Sequence, residues 1–200
     1  MADQRTVVDL LRHGEPLGGR RIRGQLDDPL AEQGWRQKCD TVGDAAPWRH
    51  VVTSPLQRRS AFARALADKH LLSLSLEPRF KEIGFGAWEG QAPEEIQQWD
   101  GARFRRYRDE PLAFMPEGAE SVTDFVARVA QGWQNMLAAL RGRRVLVVCH
   151  AGVIRAASGL VLGAVPVHLF HVQVDYAGLT RIEVSEGQRS RLVFHGGRLS

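Results

Sequence analysis

Residues 7–15 read VVDLLRHGE and residues 145–155 read VLVVCHAGVIR. Each is an apolar, β-branched run that ends in a histidine with a glycine one or two residues later. Runs of this kind are strands buried on both faces, the type that occupies the middle of a parallel sheet. In open α/β sheets ligands bind beyond the carboxyl ends of the strands, close to helix N-termini. The two stretches therefore predict strands that carry Arg12, His13 and His150 to the same end of one sheet. A third stretch, VVTSPLQR at 51–58, adds Arg58 in the first turn of a helix, where free backbone N–H groups favour an anion.

Working outward, strands are expected at 5–11, 49–53, 144–149, 168–175 and 178–184, with a last one at 191–195. Helical patterns fill the intervals. SPLQRRSAFARALADKH (54–70) offers Ser54 as N-cap and Pro55 in the first turn. Ser121 with Asp124 opens another helix. Its apolar positions Val122, Phe125, Val126, Val129, Trp133, Met136, Leu137 and Leu140 recur every three or four residues and form one stripe. Strands alternating with helices predict a three-layer α/β/α sandwich on a mainly parallel sheet. The chain reads as a single domain over 1–200, with 90–118 an insertion rich in aromatic and charged residues that forms a lid or rim.

Two hundred residues, 44% hydrophobic and 25% charged, suit one well-packed α/β domain. The first residues lack the basic and apolar regions of a signal peptide, and Arg155 and Pro166 interrupt the longest apolar stretch. A cytoplasmic protein without a membrane partner is expected. Cys39 and Cys149 are too few for a disulfide framework, and no C-x-x-C or H-E-x-x-H spacing occurs, so no metal or other cofactor is expected. The net charge is +4, carried by 24 arginines and only three lysines. Arg grips phosphate and carboxylate bidentately, which favours an anionic ligand. The densest basic run, RFRRYR at 103–108, reads as a solvated face or site rim rather than a nucleic-acid surface. His168 and His171 read as core or hydrogen-bonded residues, and Asp9, on the first strand, needs a backbone or arginine partner.

Arg12, His13, Arg58 and His150 together describe a pocket for a phosphoryl group. The blocks LLRHGE (10–15), RGQLDDPLAEQG (23–34), TSPLQRRSAF (53–62), EIGFGAWEG (82–90), PEGAESVTDFVARV (116–129) and VVCHAGVIR (147–155) resemble the histidine phosphatase superfamily, phosphoglycerate mutase-like branch. Ala151, where the acid-phosphatase branch has Asp, points to the mutase-like branch instead. The resemblance implies a phosphoglycerate mutase-like fold and a metal-independent phosphomonoesterase working through phosphohistidine. His13 would be the nucleophile, Arg12 and Arg58 the phosphoryl clamps, His150 a donor to the transferring group and Glu82 the general acid. Ala151, Gly152, Arg20, Arg21 and Arg23 would complete substrate binding. Glu89, Glu15 and Glu94 are rival acids.

The sequence also departs from the family pattern. Pro16 replaces a Thr, Gly19 stands where an Asn contacts phosphate, and Ala31 replaces the Thr that caps the next helix, a loss of about 1 kcal/mol. Arg20 or Arg21 is the expected substitute for the Asn. A short insertion favours a phosphatase acting on a small phosphorylated metabolite and releasing inorganic phosphate. GFGAWEG, PEGAES and HVQVDYAGLTRIEV resemble α-ribazole phosphatases in particular. The alternatives are a cofactor-dependent phosphoglycerate mutase and a non-catalytic anion- or nucleic-acid-binding protein. A homodimer is compatible with the sequence.

Overall fold

The computed structural model describes residues 5–44, 46–107, 109–185 and 190–199. Six strands form one sheet: β1 (Thr6–Arg12), β2 (His50–Thr53), β3 (Ser73–Leu76), β4 (Arg144–Cys149), β5 (Leu179–Val184) and β6 (Arg191–Gly197). Their order across the sheet is β3-β2-β4-β1-β5-β6. The pairs β2–β3, β2–β4 and β1–β4 are parallel, whereas β5 runs antiparallel to both β1 and β6.

Alternation along β4 separates two cores. Val145, Val147 and Cys149 face one layer, with Val8 and Leu10 of β1 and helices α6 (Val122–Ala139) and α7 (Ala151–Leu162). Leu146 and Val148 face the other, with Leu11 and helices α1 (Glu32–Val42) and α2 (Gln57–His70). Successive strand residues point to opposite faces, so both faces of an all-apolar strand need a cover. The three-layer sandwich follows. On α6, Ser121 accepts from the Asp124 N–H at 3.0 Å as the N-cap, and the predicted apolar stripe lies against the sheet. Ala31 caps α1 with no side-chain bond.

Three expectations change. The stretch 168–175 is no strand but a 3-10 segment, Pro166–His171, followed by extended chain. The carbonyls a ladder would use there are taken by side chains: Val172 accepts from Arg155 Nε, Gln173 bonds His195 Nε2, and Val174 accepts from Arg12 Nη1. His168 and His171 on that segment are exposed rather than core. Helix α2 starts at Gln57 with Leu56 as N-cap, so Ser54 does not cap it. Finally, β3 is a short edge strand that its exposed Leu/Ser alternation concealed.

Asp9 is fully buried, and its partners are the Arg181 guanidinium at 2.7 and 3.1 Å and the Trp48 indole N–H at 2.8 Å. The insertion holds three short helices, α3 (Pro93–Trp99), α4 (Gly101–Arg106) and α5 (Pro111–Phe114), around Trp88, Ile96 and Tyr107. In the basic run, Arg103 lies 3.8 Å from Asp100 and Arg106 pairs with Glu110 at 2.8 Å; Arg108 lies outside the described residues.

Candidate active site

Register places the site. Strands β1 and β4 are adjacent and parallel with Arg12 opposite Cys149, so the next residues, His13 and His150, leave the sheet side by side. The two rings meet with centroids 5.9 Å apart at 68°. Strand β2 pairs with β4 at Thr53 and Val148, which brings Ser54 alongside. Ser54 Oγ lies 3.0 Å from His150 Nε2, both groups fully buried. Arg58, in the first turn of α2, is buried against the same corner.

Hydrogen bonding defines the chemistry of each ring. His13 Nδ1 is 2.7 Å from the Gly14 carbonyl, which can only accept. The proton therefore sits on Nδ1, and Nε2 keeps its lone pair. Burial, then the Arg12 and Arg58 guanidiniums, holds His13 well below the usual imidazole range. His150 is held low by burial first, then Arg58. Both rings are neutral at pH 7, the form in which imidazole is a nucleophile or a single donor.

The arginines are anchored at their tips. Arg12 donates to the Val174 carbonyl at 2.5 Å and stacks 4.1 Å over the Tyr176 ring, which is also 5.6 Å from His13. Arg58 donates to the carbonyls of Leu26 and, at 2.7 Å, Gly24, and burial lowers it to about 10. Three buried nitrogens at this corner have no acceptor among the described residues: Arg12 Nε, Arg58 Nε and His150 Nδ1. Buried donors without partners are rare, and their gathering beside a lone pair on His13 is suited to an oxyanion.

Glu82 sits at the start of α7. Its Oε2 accepts from the Gly152 N–H at 3.3 Å and its Oε1 from the Ile83 N–H at 3.1 Å. A Cβ on Gly152 would stand 2.2 Å from Glu82 Oε1, so only glycine lets the carboxylate approach this closely. Arg128 braces the segment from behind, donating to the carbonyls of Arg79, Lys81 and Glu82 at 2.6, 2.9 and 3.0 Å while pairing with Glu120. Ala151, the first residue of α7, is buried beside His150.

Two of the three rival carboxylates, those of Glu89 and Glu94, are engaged elsewhere. Glu89 Oε1 accepts from the N–H groups of Gln25 and Phe85 at 3.0 and 2.9 Å and ties two loops together. Glu94 is exposed, 3.9 Å from Arg20. Glu15 offers its backbone to Gln37 and Ala31. Arg23, expected at the substrate, is committed to its own loop, donating to Asp28 and to the carbonyls of Leu17, Gly19 and Arg21. Arg20 and Arg21 lie on an exposed arc of that loop. Tyr176 and Ser54 are neighbours of the histidines that the sequence reading missed. Because β5 is antiparallel to β1, the residues preceding β5 lie at the carboxyl end of β1, and that signal points to Tyr176. Among the described residues no group of three or more His, Cys, Asp or Glu is placed to hold a metal, and no helix is long and apolar enough to cross a membrane.

The profile of the Histidine phosphatase superfamily (branch 1) matches residues 8–195. The chain belongs to that superfamily. A probable phosphoglycerate mutase, GpmB, of Yersinia pestis is 31% identical over 190 residues, 90% of this chain and 85% of its own. The bifunctional protein Rv2228c of Mycobacterium tuberculosis is 35% identical over 97% of this histidine phosphatase-type chain and 55% of its own length, so the chain spans about half of that relative. Among solved structures, mycobacterial glucosyl-3-phosphoglycerate phosphatase Rv2419c superposes with a TM-score of 0.83 at 27% identity, covering 96% and 99% of the two chains. The α-ribazole phosphatase of Shigella flexneri has the same fold, with a TM-score of 0.82 at 22% identity over 96% of each chain.

Proposed function

We propose that the protein is a metal-independent phosphomonoesterase that works through phosphohistidine. One observation carries the reading: two neutral, buried imidazoles face each other at 5.9 Å beside three orphaned cationic or imidazole donors. His13 Nε2 attacks phosphorus in line with the leaving alcohol. Arg12 and Arg58 neutralise charge on the equatorial oxygens, and His150 donates from Nδ1. In this mechanism the Ser54 hydroxyl, 3.0 Å away, donates to His150 Nε2 and leaves the ring proton on Nδ1. Glu82 hands its proton to the leaving alkoxide, then takes one from the water that attacks the phosphohistidine, restoring His13 and releasing phosphate. Acid–base help of this kind is worth about 10²–10⁴-fold. Ala151 and Gly152 lie at the α7 N-terminus, whose dipole adds to the field, and Arg20 and Arg21 draw anions toward the rim.

Substrate candidates come from the similar proteins: an α-ribazole phosphate or a glucosyl-phosphoglycerate. The similarity to GpmB keeps the mutase reading as the alternative. A panel of phosphorylated metabolites, with 2- and 3-phosphoglycerate plus a bisphosphoglycerate primer, separates the two. Phosphate release that disappears in His13→Ala, with an acid-labile phosphoenzyme trapped in the parent, is the expected result. Turnover that survives His13→Ala overturns the proposal.

A further inference from the structure

We propose that the cleft beside Glu82 seats the alcohol half of the substrate and selects phosphomonoesters of an apolar, ring-sized alcohol. The inference rests on the assignment of Glu82 as the acid. Whichever oxygen receives the Glu82 proton, the carbon skeleton attached to it must lie against that carboxylate. A partly open cleft lies there, about 300 Å³ when the solvent at its mouth is included, with Glu82 and Gly152 on its wall. Its other walls are the side chains of Phe85, Phe125, Leu169 and Phe170, with further aliphatic carbons. Among the described residues that line it, only Glu82 and Arg155 are charged.

Arg155 is turned toward the apolar wall. Its Nε donates to the Val172 carbonyl at 2.7 Å and its guanidinium lies 5.5 Å from the Phe170 ring centre. Tyr107 of the insertion packs edge-on against both Phe170 and Phe85, at 5.6 and 6.4 Å, so the insertion supports these walls. A second apolar groove, about 430 Å³ with the solvent at its mouth, shares Arg155 and Leu169 with the first.

An alcohol bearing a carboxylate, as in a phosphoglycerate, would set that charge among phenyl rings and next to Glu82, at a desolvation cost. A phenyl ring in the same place removes on the order of 100 Å² of apolar surface from water, which corresponds to about 10- to 100-fold tighter binding.

Non-hydrolysable phosphonates separate this preference from leaving-group chemistry. Binding of methyl-, benzyl- and carboxymethylphosphonate is measured by calorimetry on the full chain, alongside turnover of p-nitrophenyl phosphate. The expected order places benzyl 10- to 100-fold tighter than methyl, and carboxymethyl no tighter than methyl. Phe170→Ser shrinks the benzyl-to-methyl ratio at least fivefold, and Phe170→Leu, which keeps the wall apolar, preserves it. Equal affinities for benzyl and methyl, a carboxymethyl preference, or a ratio unmoved by Phe170→Ser overturns the inference. Absence of p-nitrophenyl phosphate turnover overturns the phosphatase reading instead, and the phosphonate order then reports on the cleft independently.

Discussion

Removing one buried hydroxyl tests the site directly. Among the described residues Ser54 Oγ is the single partner of His150 Nε2, at 3.0 Å, with no exposure of either residue. In Ser54→Ala that nitrogen is left buried without a partner, a penalty of about 1–3 kcal/mol. On the proposed mechanism the ring also loses the donor to Nε2 that leaves its proton on Nδ1, the atom proposed to face the phosphoryl oxygens. If the penalty falls on the transition state, with 1.36 kcal/mol per tenfold, kcat drops roughly 5- to 150-fold. A helix-capping serine would behave differently, costing about 1 kcal/mol of stability and no turnover. Steady-state kinetics on p-nitrophenyl phosphate, read beside a thermal melt, separates the two. A variant with parental kcat and only a lower melting temperature refutes the tautomer argument.

Acidity should expose the neutral histidines. His13 and His150 are held well below the usual imidazole range, so below about pH 6.5 the unfolded chain takes up protons that the folded chain refuses. Stability then falls as pH drops through that value, by up to roughly 2.7 kcal/mol per pH unit for two such groups. Urea titrations between pH 8 and 5 give the slope, and His150→Asn should reduce it by about half; an unchanged slope contradicts the assignment. Lys38, fully buried on α1 with Nζ 3.9 Å over the Phe62 ring and no hydrogen-bond partner among the described residues, has its ammonium pushed well below the usual range by burial. Lys38→Met should stabilise the fold by about 1–4 kcal/mol, and a lower melting temperature would show that the charge is needed.

The parts of the fold legible in the sequence were those whose side chains meet one environment. β1 and β4 are buried on both faces, so their apolar runs are continuous, and the α6 stripe follows its period. β3, on an edge with its side chains exposed or half-exposed, carries no such pattern. The stretch 168–175 alternated like a strand, but side chains took its carbonyls, and pairing of that kind leaves no trace in a hydropathy pattern. At the site, the meeting of His13 with His150 was legible because two strand ends carry it. Ser54 was misread because a serine before a proline and a helix looks like a cap whatever its Oγ touches. Lys38 was invisible for a similar reason: at a buried helix position, Gly34, Lys38 and Thr41 read as polar surface.

Two glycines fix how the loop after His13 can change. A Cβ on Gly14 would come within 2.0 Å of the Gly34 oxygen, and one on Gly34 within 2.1 Å of the Glu15 oxygen. The bonds from Ala31 N–H to the Glu15 carbonyl and from Leu17 N–H to the Pro29 carbonyl close the neck just beyond. These contacts stand between the bight and the His13 ring. The exposed arc at 17–21 is thus the place where a protein engineer can splice in new recognition chemistry, provided Arg23 still buckles its two ends.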